Sequence, residues 1–142
     1  MNQPDGFTLI EVLFVLAVLS VLILISTPLK VSMLDKQTEN RFLQTLEMDL
    51  LYVQSMAYNS RKRYRLTFPD ETHYAIKTTK KTTLLEREMP EGWSIDSRTL
   101  PNISFKSNGT IREPGTFAIK TETGTFNIVC PFGKGRCYVE KQ

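Results

Sequence analysis

The sequence has 142 residues, and 18 lysines and arginines against 15 aspartates and glutamates give a net charge of +3. That length leaves room for one small domain of about 80–110 residues beside a long helix, and excludes a core large enough to bury an all-apolar helix. Every basic residue lies after residue 29, so residues 30–142 hold all 18 cations against 13 acids, an excess of +5 that suits anionic partners without requiring them.

From Gly6 to Pro28 the chain reads GFTLIEVLFVLAVLSVLILISTP. At ~1.5 Å rise per residue, about 20 apolar residues cross a ~30 Å hydrocarbon layer as a helix, so residues 7–28 are expected to form a transmembrane helix. Glu11 is the one acid in it, and no base within the span can pair with it. A lone carboxylate in lipid is costly and implies a partner. Cleavage between Gly6 and Phe7 would supply one, an α-amino group one helical turn before Glu11. The plainer alternative is an acid near the end of the span that snorkels to the interface. A secretory signal peptide fits poorly, because the first residues carry no base and the apolar run exceeds the usual length of about 7–15 residues. By the positive-inside rule alone, the basic residues after the span would place the rest of the chain in the cytoplasm.

Pro28 has no N–H for the carbonyl of Leu24 and crowds it, so a helix kink is expected there. Beyond it, Phe42 or Leu43, Leu46, Leu50, Val53 and Ala57 recur at three- and four-residue steps, with Arg41, Glu47, Asp49 and Gln54 between them. That spacing predicts an amphipathic helix over 29–58, continuing the first into one long, kinked rod. From Tyr64 the period becomes two. Tyr64–Phe68, His73–Lys77, Thr83–Arg87, Trp93–Ile95, Ile103–Phe105, Phe117–Lys120, Thr125–Val129 and Arg136–Glu140 read as strands, separated by turns such as Glu91-Gly92, Asn108-Gly109 and Gly133-Lys134-Gly135. One helix followed by a run of strands predicts an α+β fold, a helix packed on a small antiparallel β-sheet head at 59–142. Cys130 and Cys137, the only two cysteines, suit one disulfide if they face each other on paired strands, or two free thiols in a reducing compartment.

Gly6-Phe7-Thr8-Leu9-Ile10-Glu11 followed by an apolar run resembles the leader and N-terminus of type IV pilins and pseudopilins. The leader departs from the family habit in lacking Lys and Arg. Ser104-Phe105, Asn108-Gly109-Thr110, the following hairpin and Gly135-Arg136 resemble the minor pseudopilins of the GspH/FimT group. Ser60-Arg61-Lys62-Arg63 and the tail Val139-Glu140-Lys141 look most like those of competence systems. The resemblance implies that a prepilin peptidase removes residues 1–6, that Phe7 is N-methylated, and that the apolar helix anchors the subunit in the membrane until it enters a filament core. It also implies that Glu11 pairs with the N-terminal amine of a neighbouring pseudopilin, that Pro28 kinks the helix, and that the head lies outside the membrane, on the cell surface or in the envelope. The implied role is a minor pseudopilin of a DNA-uptake filament; a DNA receptor at the filament tip and a protein-secretion pseudopilin are the alternatives.

No enzymatic constellation stands out, and no cofactor or small-molecule substrate is expected. His73 is the single histidine, whereas metal sites need several convergent donors. Residues 130–137 have neither CxxC spacing nor a zinc pattern. Three basic groups remain: Arg61, Lys62, Arg63 and Arg65; Lys77, Lys80 and Lys81; and Lys134, Arg136 and Lys141. A solvated face explains them equally well. The third group lies on a glycine-flanked turn near Phe132 and Tyr138, where cations and aromatic rings could meet a nucleic-acid strand. Some GspH/FimT relatives implicated in DNA uptake carry Gly-Arg and a second Arg two residues on; here Gly135-Arg136 matches and Tyr138 takes the second position.

Overall fold

A computed structural model describes residues 7–60, 62–79 and 82–142, with the side chains of 26–32 outside the description. One helix, α1 (Leu9–Asn59), is followed by eight strands: β1 (Tyr64–Thr67), β2 (His73–Thr78), β3 (Thr83–Glu88), β4 (Ser94–Asp96), β5 (Asn102–Ser104), β6 (Gly115–Thr121), β7 (Gly124–Cys130) and β8 (Tyr138–Lys141). The chain divides into two compact units, Met1–Asn40 and Arg41–Gln142, with the boundary inside α1.

In the first unit, Thr8 starts the helix. Its carbonyl accepts from the amides of Glu11 and Val12 at 3.1 and 3.3 Å, and its hydroxyl accepts from Glu11 at 3.4 Å, so a threonine just outside the first turn satisfies donors the helix cannot. Residues 7–25 expose their side chains throughout. Among the described residues no helix is long and apolar enough to cross a membrane; the described part of the apolar run in α1, residues 9–25, stops short of the ~20 residues a span needs. The transmembrane segment expected at 7–28 is therefore not shown. Pro28 lies within α1, but its side chain, and with it the expected kink, lies outside the described residues.

In the second unit the helix buries Leu46, Leu50, Val53 and Ala57, the stripe its spacing predicts. Phe42 and Leu43 pack half-buried at the start of that stripe, with Phe42 edge-on to Trp93 at 5.4 Å and to Tyr74 at 6.1 Å. The head expected as one small sheet is built from two four-stranded antiparallel sheets, ordered β3-β2-β1-β5 and β4-β6-β7-β8. Alternation sets their registers. In the first, Leu66 stands opposite Ile76 on one side and Ile103 on the other, all fully buried. In the second, Phe117 faces Ile128 and Ile119 faces both Phe126 and Ile95. Phe68 meets Phe117 at 5.0 Å between the sheets, and the Ile95 amide donates to the Glu71 carbonyl at 2.6 Å.

Candidate functional site

Two places carry the residues singled out by sequence. The first is the N-terminal segment. Gly6 lies outside the described residues, Phe7 is 84% exposed, and Glu11 stands exposed in the first turn of α1, four residues after Phe7. Phe7 itself precedes α1, which begins at Leu9. An exposed apolar surface of this extent, from Leu9 to Ile25, marks a site of protein or lipid contact.

The second is the turn between β7 and β8. Cys130, the last residue of β7, is disulfide-bonded to Cys137, with their Cα atoms 4.2 Å apart, so of the two readings of this pair the oxidised one holds. The bridge closes a loop that is also tied to the helix. The Gln54 side-chain amide donates to the Gly135 carbonyl at 2.8 Å and to the Gly109 carbonyl at 2.6 Å, and the Ile111 amide donates to the Lys134 carbonyl at 3.0 Å. Gly109 holds φ +77°, which the Asn108-Gly109 turn requires. Gly135 is needed for a different reason: a Cβ there would lie 2.8 Å from Gln54 Nε2 and 2.9 Å from the Gly109 carbonyl oxygen. Alongside, Leu51, Gln54, Tyr58, Asn108 and Gly135 line an open groove of 570 Å³.

The rigid backbone leaves its cations free. Lys134 and Arg136 are exposed at the turn, with Phe132 beside them under the Lys106 ammonium, 5.9 Å from the ring centre. Tyr138 is half-exposed on β8 opposite Val129. Lys141 is not brought to this cluster. It stands opposite Phe126, with its ammonium 4.9 Å from that ring, three residues along from Tyr138 and so on the other face of β8.

The other two basic groups meet each other. The β1–β2 register sets Arg65 directly opposite Lys77, and the Thr79 amide donates to the Arg63 carbonyl at 3.1 Å. Arg61, Lys80 and Lys81 lie outside the described residues. His73 accompanies no metal site: among the described residues no three His, Cys, Asp or Glu side chains converge as one. Its Nδ1 lies 2.9 Å from Asp70 Oδ1. That hydrogen bond is the main force holding Asp70 down at about 2, helped by the Thr72 amide, and it raises His73 above its ordinary value.

Sequence reasoning missed the helix side chains that fasten the head. Asp49, set among the polar positions of the amphipathic helix, is 7% exposed and accepts from Tyr74 and Arg87. Gln54 occupies the same kind of position. An acid and an amide next to buried stripe residues Leu50 and Val53 were the available signal; their partners come from strands that only the tertiary fold brings near.

Comparison with known proteins agrees with this arrangement. Residues 1–27 match the prokaryotic N-terminal methylation motif. The chain is 25% identical over 143 residues to the competence protein ComGD of Bacillus subtilis (strain 168), covering all of this chain and 97% of that one. Its fold matches crystal structures of the type IV minor pilin FimU of Pseudomonas aeruginosa in two crystal forms. One superposes with a TM-score of 0.50 at 19% identity over 68% of this chain and 88% of FimU, the other with 0.50 at 21% over 72% and 91%. The chain thus joins the N-terminal methylation motif of type IV pilins to a minor-pilin fold.

Proposed function

We propose that this chain, pilin-like in its N-terminal motif and its fold, is a minor pseudopilin of a type IV-like competence filament that takes part in DNA uptake. The observation that carries the reading is the match of residues 1–27 to the methylation motif ahead of a minor-pilin head; the similarity to ComGD along the whole chain favours competence over protein secretion. In this reading a prepilin peptidase cuts after Gly6, and Phe7 becomes the methylated N-terminus. The apolar stretch holds the subunit in the membrane until it is drawn into the filament, with the head outside. The new ammonium on Phe7 neutralises a Glu11 carboxylate of the neighbouring pseudopilin, so that an anion otherwise costly in an apolar core sets subunit register. The role is that of a structural subunit, without catalysis or cofactor.

The test is Glu11→Val. The variant should still be trimmed ahead of Phe7, as mass spectrometry would show, but should be missing from sheared filaments. Normal incorporation would refute the pairing role.

A second reading, direct DNA contact at the β7–β8 turn, is favoured by Lys134 and Arg136, which stand exposed on a backbone fixed by the disulfide and Gln54. Lys134→Ala with Arg136→Ala should weaken DNA binding and flatten its salt dependence; unchanged affinity and slope would exclude the turn.

A further inference from the structure

The outward face of the first sheet carries a charge pattern that packing does not explain. Arg65 on β1 stands directly opposite Lys77 on β2, and on its other side Arg65 stands opposite Ser104 on β5. Directly opposed residues lie on the same face with Cβ atoms about 4.5–5.5 Å apart, and like charges so placed repel. The buried row Ile103, Leu66 and Ile76 points the other way. Ser104, Arg65 and Lys77 therefore form a row of donors across three strands spaced about 4.8 Å. Lys62 and Arg63 stand exposed in the loop leading into β1. Among the described residues no carboxylate forms an ion pair with any of these cations. The next row on the same face, Asn102, Thr67, Ala75 and Glu86, is covered at Ala75, which is buried, and holds its one acid at the far edge.

A fold that places two cations face to face with no counter-charge accepts a cost that an external anion would relieve. Sequence spreads these residues over two separate basic groups; only the hairpin register joins them. We infer that the Ser104–Arg65–Lys77 row, with Lys62 and Arg63, is a docking surface for the phosphate backbone of DNA, separate from the β7–β8 turn. Two long cationic side chains rooted on directly opposed residues can converge on one phosphodiester or take two successive phosphates, and the hydroxyl extends the row. A bidentate guanidinium beside an ammonium gives positioning without base readout, so the surface binds DNA irrespective of sequence. The choice of DNA as the polyanion rests on the competence reading; the charge geometry does not.

The test uses the full chain in detergent, with a DNA duplex of about 20 base pairs as probe. Arg65→Gln with Lys77→Gln removes two phosphate contacts, each worth about 0.9 in the slope of log affinity against log salt. Wild type should lose about 10-fold more affinity than this variant between roughly 50 and 200 mM salt. The same variant should melt no lower than wild type, because it deletes a repulsion on a solvent face; this separates lost binding from lost folding. Unchanged affinity and slope overturn the inference, as does binding to phosphatidylglycerol vesicles, but not to DNA, that depends on these two residues. If Lys134→Ala with Arg136→Ala abolishes DNA binding while the sheet variant binds normally, this surface is excluded and the proposed function stands. Absence of the wild-type chain from sheared filaments would sink the filament reading, and normal assembly of Glu11→Val only the pairing role; neither outcome touches this binding test.

Discussion

The hydroxyl of Tyr74 on β2 donates a 2.7 Å hydrogen bond to Oδ2 of Asp49 on α1, and both residues are buried. Arg87 on β3 completes the group, donating from Nε to Oδ2 at 2.6 Å and from Nη2 to Oδ1 at 3.2 Å. The first sheet is therefore fastened to the helix by a satisfied charge as well as by apolar packing. Burial, and then the bond to Asp49, push the Tyr74 phenol far above its ordinary value of 10; the bond to Asp49 likewise raises Arg87.

Removing one partner should cost more than the contact itself is worth. Asp49→Ala strands a buried phenol and a half-exposed guanidinium, and should destabilise the head by about 2–3 kcal/mol in urea unfolding, below the ~3–5 kcal/mol of a fully buried pair. Tyr74→Phe should cost about 1 kcal/mol. The sign in alkali follows from the raised phenol. Above pH 10 the unfolded chain releases a proton that the folded one keeps, so stability is present below pH 10 and falls by about 1.4 kcal/mol per pH unit above it. Tyr74→Phe should flatten that fall, and absorbance at 295 nm should show Tyr74 ionising only as the head unfolds.

At the β1–β2 turn the pair Asp70 and His73 titrates in opposite directions. Asp70 is held at about 2 by His73, so its contribution is present above its ordinary 3.8 and is lost as pH falls through about 2. His73 is raised by Asp70, so its contribution is full below 6.5 and is lost as pH rises through its elevated midpoint. The turn should be best ordered between about pH 4 and 6.5. By NMR titration, His73 should show a midpoint above 6.5 that returns toward 6.5 in Asp70→Asn. An unchanged midpoint would disprove the coupling.

The β7–β8 turn should depend on Gly135 and the disulfide together. Gly135→Ala drives a methyl into Gln54 and the Gly109 carbonyl, an overpacking cost of about 1–3 kcal/mol. In Gln54→Ala with Gly135→Ala one of the two obstacles is gone, so the double variant should fall short of the sum of the singles. Reducing Cys130–Cys137, which closes a loop with a sequence separation of 7, should remove about 2 kcal/mol. Hydrogen exchange at the Ile111 amide, which donates to Lys134, reports all three; protection that is unaffected by them would show the turn to be held some other way.

Much of this was legible in local pattern. The alternations at Tyr64–Phe68 and His73–Lys77, and at Phe117–Lys120 and Thr125–Val129, gave hairpins now seen as β1–β2 and β6–β7, because burial on one face imposes period two. The stripe Leu46, Leu50, Val53 and Ala57 gave the buried helix face. Non-local pairing was not legible: nothing in Ser94–Asp96 says that it joins β6 while β5 returns to β1, so one expected sheet became two. The grouping of Lys141 with Lys134, Arg136 and Tyr138 rested on closeness in sequence, but Lys134 and Arg136 precede β8, and its alternation sets Lys141 on the face opposite Tyr138. The meeting of Arg65 with Lys77 was implicit in the hairpin but needed its register.

The strands are interleaved: β4, between β3 and β5 in the chain, belongs to the second sheet, while β5 closes the first against β1. Neither sheet is complete until a distant stretch has arrived, since Arg65 must wait for Ser104 and Ile95 for Ile119. Such long loops make early half-structures entropically poor. Completing either sheet therefore draws on strands far apart in the chain, so the head should gain its stability as a whole rather than strand by strand.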